Sequence, residues 1–343
     1  MLFNIIQFLL NQNITNWNLV FILFIILLTI PFIIPIYEVI RKKERGLEIN
    51  LLYTKQPDYF GKEFLKLIDC SLNNYFKKYI NLESINKIQN LYLEIILCNK
   101  RKEKIFISDN FYNIYKILKP KKNALDIIII NKKQIQLNNE FYFLKEFIAK
   151  EDLEISSNCE FNSLIVKGNL ILNNNSYTKI HRYLYVEGDI IINSPLDVDL
   201  SIFCYNNIYI NSAVTFKRMF AKEILTKLNS DIEFLDEKSK IDEQRSININ
   251  GSLKLEGNLE IKEKNRYVII NGNLISNSNV VIDGNVWIKG NVFSQENIEI
   301  YNGVIVGEKG KYKSIIARKK ITLGPNVKVY GYIHSELLSY YKS

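Results

Sequence analysis

The sequence predicts an all-β protein, a parallel β-helix solenoid, and three observations carry that prediction. From about residue 151, short runs of alternating apolar and polar residues largely replace helix-period stretches. Those runs meet at Gly or Asn corners, mostly sixteen to twenty-one residues apart. Within residues 281–292 one phrase occurs twice: Val281-Ile282-Asp283-Gly284-Asn285-Val286, then Trp287-Ile288-Lys289-Gly290-Asn291-Val292. Self-similarity at such a period marks a solenoid, because one coil cannot bury its apolar face alone and stacked neighbours supply the core.

The corners follow in order. Gly168 lies in "LIVKGNLIL", Gly188 in "LYVEGDIII" and Asn206 in "FCYNNIYI". Gly251, Gly272 and Gly284 lie in "ININGSLKL", "VIINGNLIS" and "VVIDGNVWI", with Gly290 one hexad on. Gly303 and Gly331 lie in "IEIYNGVIV" and "VKVYGYIHS". Alternation sends Ile, Leu and Val inward and Asn, Lys and Glu outward. Gly and Asn suit corners because they accept positive φ at low steric cost. The repeated hexad is then one side and corner of a rung, written again on the next side. The solenoid is expected over residues 151–335, followed by a tail at 336–343. A mostly charged stretch, 230–246, breaks the pattern and reads as a loop extruded from one coil. The abundance of Asn reads mainly as compositional bias.

The first forty residues have a different texture. No Lys, Arg, Asp or Glu precedes Glu38, and residues 17–37 are almost continuously apolar. At about 1.5 Å per residue this run spans a hydrocarbon core of roughly 30 Å. Trp17 and Tyr37 sit at its ends, where amphipathic rings favour the interface. Arg41, Lys42, Lys43 and Arg45 follow, so the positive-inside rule places the C-terminal side in the cytoplasm. The expected organisation is a short extracytoplasmic N-terminus (1–16), a transmembrane helix (17–40) and an inner-membrane, single-pass topology. A cleaved signal peptide fits less well, because the basic end precedes the apolar run in such peptides.

Residues 41–150 read as a basic juxtamembrane and mixed α/β region. Phe60, Phe64, Leu67, Ile68, Leu72, Tyr75, Phe76 and Ile80 recur at helical steps, a stripe read as core. "LYLEIIL", "KIFIS" and "DIIII" read as strands.

Composition and motifs narrow the function. A net charge of +9 suits an anionic membrane leaflet, and no nucleic-acid partner is expected. Cys70, Cys98, Cys159 and Cys204 are scattered without a CxxC pair, which points to reduced thiols rather than disulfides or a metal site. Nucleotide-binding, zinc-protease and serine-elbow motifs are absent from the sequence. The enzyme alternative is a hexapeptide-type acyltransferase, which needs a His base. Its candidates are His181 and His334, neither with an acid nearby in sequence at a suggestive spacing. The chain is therefore read as a non-enzyme, with no catalytic, cofactor or metal residues.

Residues 151–335 resemble the bactofilin family of polymer-forming cytoskeletal proteins. The resemblance rests on "IVKGNLILNNNSYTKIHRYLYVEGDIII" with its continuation, and on "DGNVWIKGNVFSQENIEIYNGVIVGEKGKYKSIIARKKITLGPNVKVYGYIHSE". The second stretch is similar to the family in its order of strands and glycines. The N-terminal anchor and "YTKQPDYFGKEF" resemble membrane-anchored members. The resemblance implies a right-handed β-helix that forms a homopolymer without nucleotide and recruits envelope or cell-shape partners. The chain departs from it in a longer repeat region and in the charged interruption. A monomeric, membrane-tethered β-helix adaptor is the alternative.

Overall fold

The computed structural model describes residues 57–79, 90–97, 101–118, 123–174, 176–227 and 246–341. The expected membrane helix, with Trp17, Tyr37, Arg41, Lys42, Lys43 and Arg45, lies outside the described residues. So does the charged stretch up to residue 245. No helix among the described residues is long and apolar enough to cross a membrane.

The described chain is mostly β and winds into a solenoid of about 11 turns. Helix α1 (Tyr59–Tyr79), a hairpin of β1 (Asn90–Leu97) and β2 (Arg101–Ser108), and helix α2 (Phe111–Leu118) precede the coils. Coils 1 to 6 occupy 124–137, 141–155, 159–172, 178–192, 196–210 and 214–226. Coils 7 to 11 occupy 246–263, 267–283, 286–301, 305–323 and 328–341. Each coil contributes one short strand to each of three parallel sheets. In sheet A, Ile129 pairs with Phe147, and Phe147 with Leu164. In sheet B, Ile135 pairs with Leu153, and Leu153 with Leu170. In sheet C, Phe143 pairs with Phe161, and Phe161 with Ile180.

Three expectations are corrected here. The coils begin at Ala124, ahead of the expected boundary at 151. The tail expected at 336–343 is strand up to Tyr341, part of Lys328–Tyr341. The third correction concerns topology. Coils 7–11 do not continue upward from coil 6. Coil 6, the strand Val214–Thr226, pairs antiparallel with coil 11, the strand Lys328–Tyr341. Two stacks therefore meet tail to tail, and coil 7 lies at the far end of the second stack. Rise and circulation both reverse across the junction, so the two stacks share one hand. Residues 228–245 connect the junction to that far end. Five coils at roughly 4.8 Å span about 24 Å, well within the reach of eighteen residues at about 3.3 Å each.

Local sequence explains the packing. Most coil strands alternate buried and half-buried residues, as in Leu170–Leu172 and Val292–Ser294. Sheet A of the first stack departs from alternation. Ile128–Asn131, Phe147–Ala149 and Leu164–Val166 are buried throughout. The reason is α1, whose Leu65, Ile68 and Leu72 pack over the outward Ile130, Ile148, Ile165 and Tyr185. Gly61 permits this approach, since a Cβ there would stand 2.1 Å from the Tyr185 ring. Helix α2 instead plugs the bottom of coil 1. The Asn110 side chain accepts the Tyr112 N–H and caps the helix at 3.0 Å. Phe111 then meets Phe141, Phe143 and Phe147 at centroid distances of 4.9, 5.5 and 5.9 Å.

Candidate assembly surfaces

Gly168, Gly188, Asn206, Gly251, Gly272, Gly290 and Gly303 lie at bends or turns between strands, and Gly284 and Gly331 at a change of side within the long strands Val280–Ile288 and Lys328–Tyr341. Gly168, Gly188, Gly272 and Gly290 do not have positive φ. They stack. A Cβ on Gly188 would lie 2.5 Å from the Gly168 carbonyl oxygen, and one on Gly290 would lie 2.2 Å from that of Gly272. Gly251, Gly284, Gly303 and Gly331 do take positive φ, as expected. Gly284 and Gly290 occupy successive corners of coils 8 and 9, so the two hexads are successive sides of the solenoid.

The residue after each stacked glycine, Asn169, Asp189, Asn273 or Asn291, completes the corner. The Asp152 carboxylate accepts the Asn169 N–H (2.7 Å), Asn169 Oδ1 accepts the Asp189 N–H (2.9 Å), and Asp189 accepts the Asn207 N–H (2.9 Å). In the second stack, Asn273 Oδ1 accepts the Asn291 N–H at 2.8 Å, and Asn291 Oδ1 the Ser314 N–H at 2.9 Å. Each side chain satisfies a backbone donor that the turn leaves unpaired. This gives the Asn-rich corners a structural role that compositional bias does not. Asn206 works through a different contact, accepting Lys222 Nζ at 3.0 Å.

Two histidines were the enzyme candidates, and the structure separates them. His334 is buried in the junction opposite Arg218, whose Nε donates to His334 Nδ1 at 3.4 Å. Burial, and then the Arg218 charge, push its pKa down to about 4, so it is neutral at pH 7. His181 lies outside on sheet C between two acids, with Nε2 2.5 Å from Glu160 and Nδ1 3.4 Å from Asp199. Coil stacking brings together acids that are 21 and 18 positions away in sequence. Beside them lies a groove of about 220 Å³ lined by Glu140, Tyr142, Asn158, Tyr177 and Lys179. Among the described residues no cluster suited to a metal ion occurs. Cys159 and Cys204 point into the core, where burial pushes both thiols up to about 12.

The ends of the stacks differ most. At the junction all three sheets run through: Val214 pairs with Tyr341, Met219 with Ile333 and Ile224 with Val329. Thr226 Oγ1 accepts the Val327 N–H and donates to the Gly324 carbonyl, both at 2.8 Å. Lys328 Nζ meets Glu223 at 2.9 Å. Among the described residues, the far end of the second stack has no such junction. Strand residues 247–249 and Leu253–Leu255 each pair, among the described residues, on one side only, with coil 8. Their inward side chains stay open, with Ile247 39% and Leu255 46% exposed. Gly251 and Gly257 have nothing within 4 Å of a Cβ position.

Comparison of the chain with protein-family models, curated proteins and solved structures found no match.

Proposed function

We propose that the chain is a membrane-anchored, bactofilin-like scaffold. Its solenoid is right-handed and is held by residues 17–40 at the inner face of the cytoplasmic membrane. It self-associates end to end without nucleotide, and its lateral faces hold envelope or cell-shape partners. It performs no covalent chemistry and takes no cofactor. The observation that carries this reading is coil 7, whose strands pair, among the described residues, on one side only and whose inward Ile247 and Leu255 stay exposed. Such an edge is a template for another chain. The tail-to-tail junction supports the reading too, because this sequence already joins one solenoid end to another by strand pairing. Burial of His334 in that junction favours a structural role for it over a catalytic one.

The test is negative-stain microscopy of the full chain in detergent, without nucleotide, over a series of concentrations. End-to-end assemblies are expected. Uniform single-chain particles at every concentration overturn self-association. They favour a monomeric tethered adaptor, a reading supported by the groove with exposed Tyr142 and Tyr177.

A further inference from the structure

The two outer ends of the double stack are not equivalent. Coil 1 is plugged by α2, with Phe111 fully buried against three phenylalanines. Tyr112 seals the rim: its hydroxyl donates to the Gln136 carbonyl at 3.0 Å and accepts the Asn138 N–H at 2.9 Å. The hairpin β1–β2 occupies the sheet A edge of coil 1, through β2 pairing with Ile128–Asn131. Coil 6 and coil 11 are consumed by the junction. Among the described residues, coil 7 alone has all three sides, 247–249, Leu253–Leu255 and 259–263, paired with one neighbouring coil only.

We propose that coil 7 docks on coil 7 of a second copy, and that the assembly closes at two chains. This rests on the self-association reading above and specifies its surface and stoichiometry. The internal junction supplies the geometry. There the middle side of one terminal coil meets the middle side of the other, antiparallel, and the flanking sides exchange. Applied to two copies of coil 7, that rule pairs Leu253–Leu255 with its own counterpart. The edge carries Lys254, Lys262 and Lys264 interspersed with Glu256, Glu260 and Glu263. Edges that avoid self-pairing usually carry one sign of charge, often Lys. This edge mixes both signs, and a two-fold centred on Leu255 sets Lys254 of each copy beside Glu256 of the other. Ile247, Leu253, Leu255 and Ile261 then gain the apolar cover that coil 7 lacks. Both outer ends of such a pair are α2 plugs, so no third chain has an open coil to join.

The test is sedimentation of the full chain in density-matched detergent across a concentration series. Wild type is expected to reach the mass of two chains and no more. Leu255→Asp and Lys254→Glu are each expected to return it to one chain with unchanged circular dichroism, since both sites are exposed. Restoration of the two-chain mass by Lys254→Glu with Glu256→Lys confirms the register. Filaments or open-ended growth overturn closure at two while leaving self-association standing. A two-chain mass indifferent to all three variants overturns coil 7 as the surface. A single-chain mass for wild type overturns both readings, and means that residues 228–245 or another protein cover the end.

Discussion

The first stack is covered, and among the described residues the second is not. Coils 1–6 carry α1 over the outside of sheet A, a hairpin on one edge and an aromatic plug at the bottom. Coils 7–11 have no helix against them among the described residues, and hold their corners by stacked glycines and Asn side chains. The same coil is thus stabilised in two ways. Where a helix covers the sheet, strands become apolar on both faces. Where no helix covers it, most strands alternate again, as in Leu274–Ser276 and Val292–Ser294, while coil 10 is buried along 315–317 and Ile321–Leu323, and the same corner bonds serve both stacks.

Substitutions can break or sharpen this contrast. The largest effect is expected at the plug. Phe111→Ala should cost about 3–5 kcal/mol in denaturant unfolding, the usual loss for a buried Phe. An effect below about 1 kcal/mol would mean that α2 does not hold coil 1 closed.

Acid should strike the junction next. The folded pKa of His334, about 4, lies below the ordinary value of 6.5. Between those values the unfolded chain binds a proton that the folded chain refuses, so stability falls as pH drops through that window. The full loss is on the order of 3 kcal/mol. His334→Gln should flatten the difference between unfolding curves at pH 7 and pH 4. Identical pH dependence in wild type and variant would refute it.

A smaller pair of effects separates two glycines of the second stack. Gly290→Ala forces a methyl into the Gly272 backbone and should cost about 1–3 kcal/mol. Gly257→Ala meets open space and should be neutral, or stabilising by up to about 1 kcal/mol. Equal melting shifts for the two would refute stacking as the constraint. The smallest effect is expected at the open end itself. Leu255→Ala should change the stability of a single chain by less than about 1 kcal/mol, because half of that side chain is already in water.

The coils were legible because alternation is a local signal, and it survives wherever one face meets solvent. It failed at coils 1 and 2, where sheet A is buried on both sides and Ile128–Asn131 shows no alternation. Corner positions were legible, but not their cause. A glycine needed for contact with the coil below looks in sequence like one needed for positive φ, and only Gly188 on Gly168 or Gly290 on Gly272 tells them apart. The plug went unread, although Asn110 followed by Phe111 and Tyr115 at helical spacing was its signal. The reversal at the junction had no local signal at all. Neither Val214–Thr226 nor Lys328–Tyr341 indicates in its own sequence that the other is its partner. Likewise, Glu160 and Asp199 became neighbours of His181 only through coil stacking.

The tail-to-tail junction also imposes a timetable on synthesis. Coil 6 leaves the ribosome with its upper rim bare and stays so until residues 328–341 emerge, more than a hundred residues later. At roughly 5–20 residues per second this is an interval of several seconds or more. Throughout it, the nascent first stack offers an unpaired strand to any neighbour, including the Lys328–Tyr341 strand of another nascent chain.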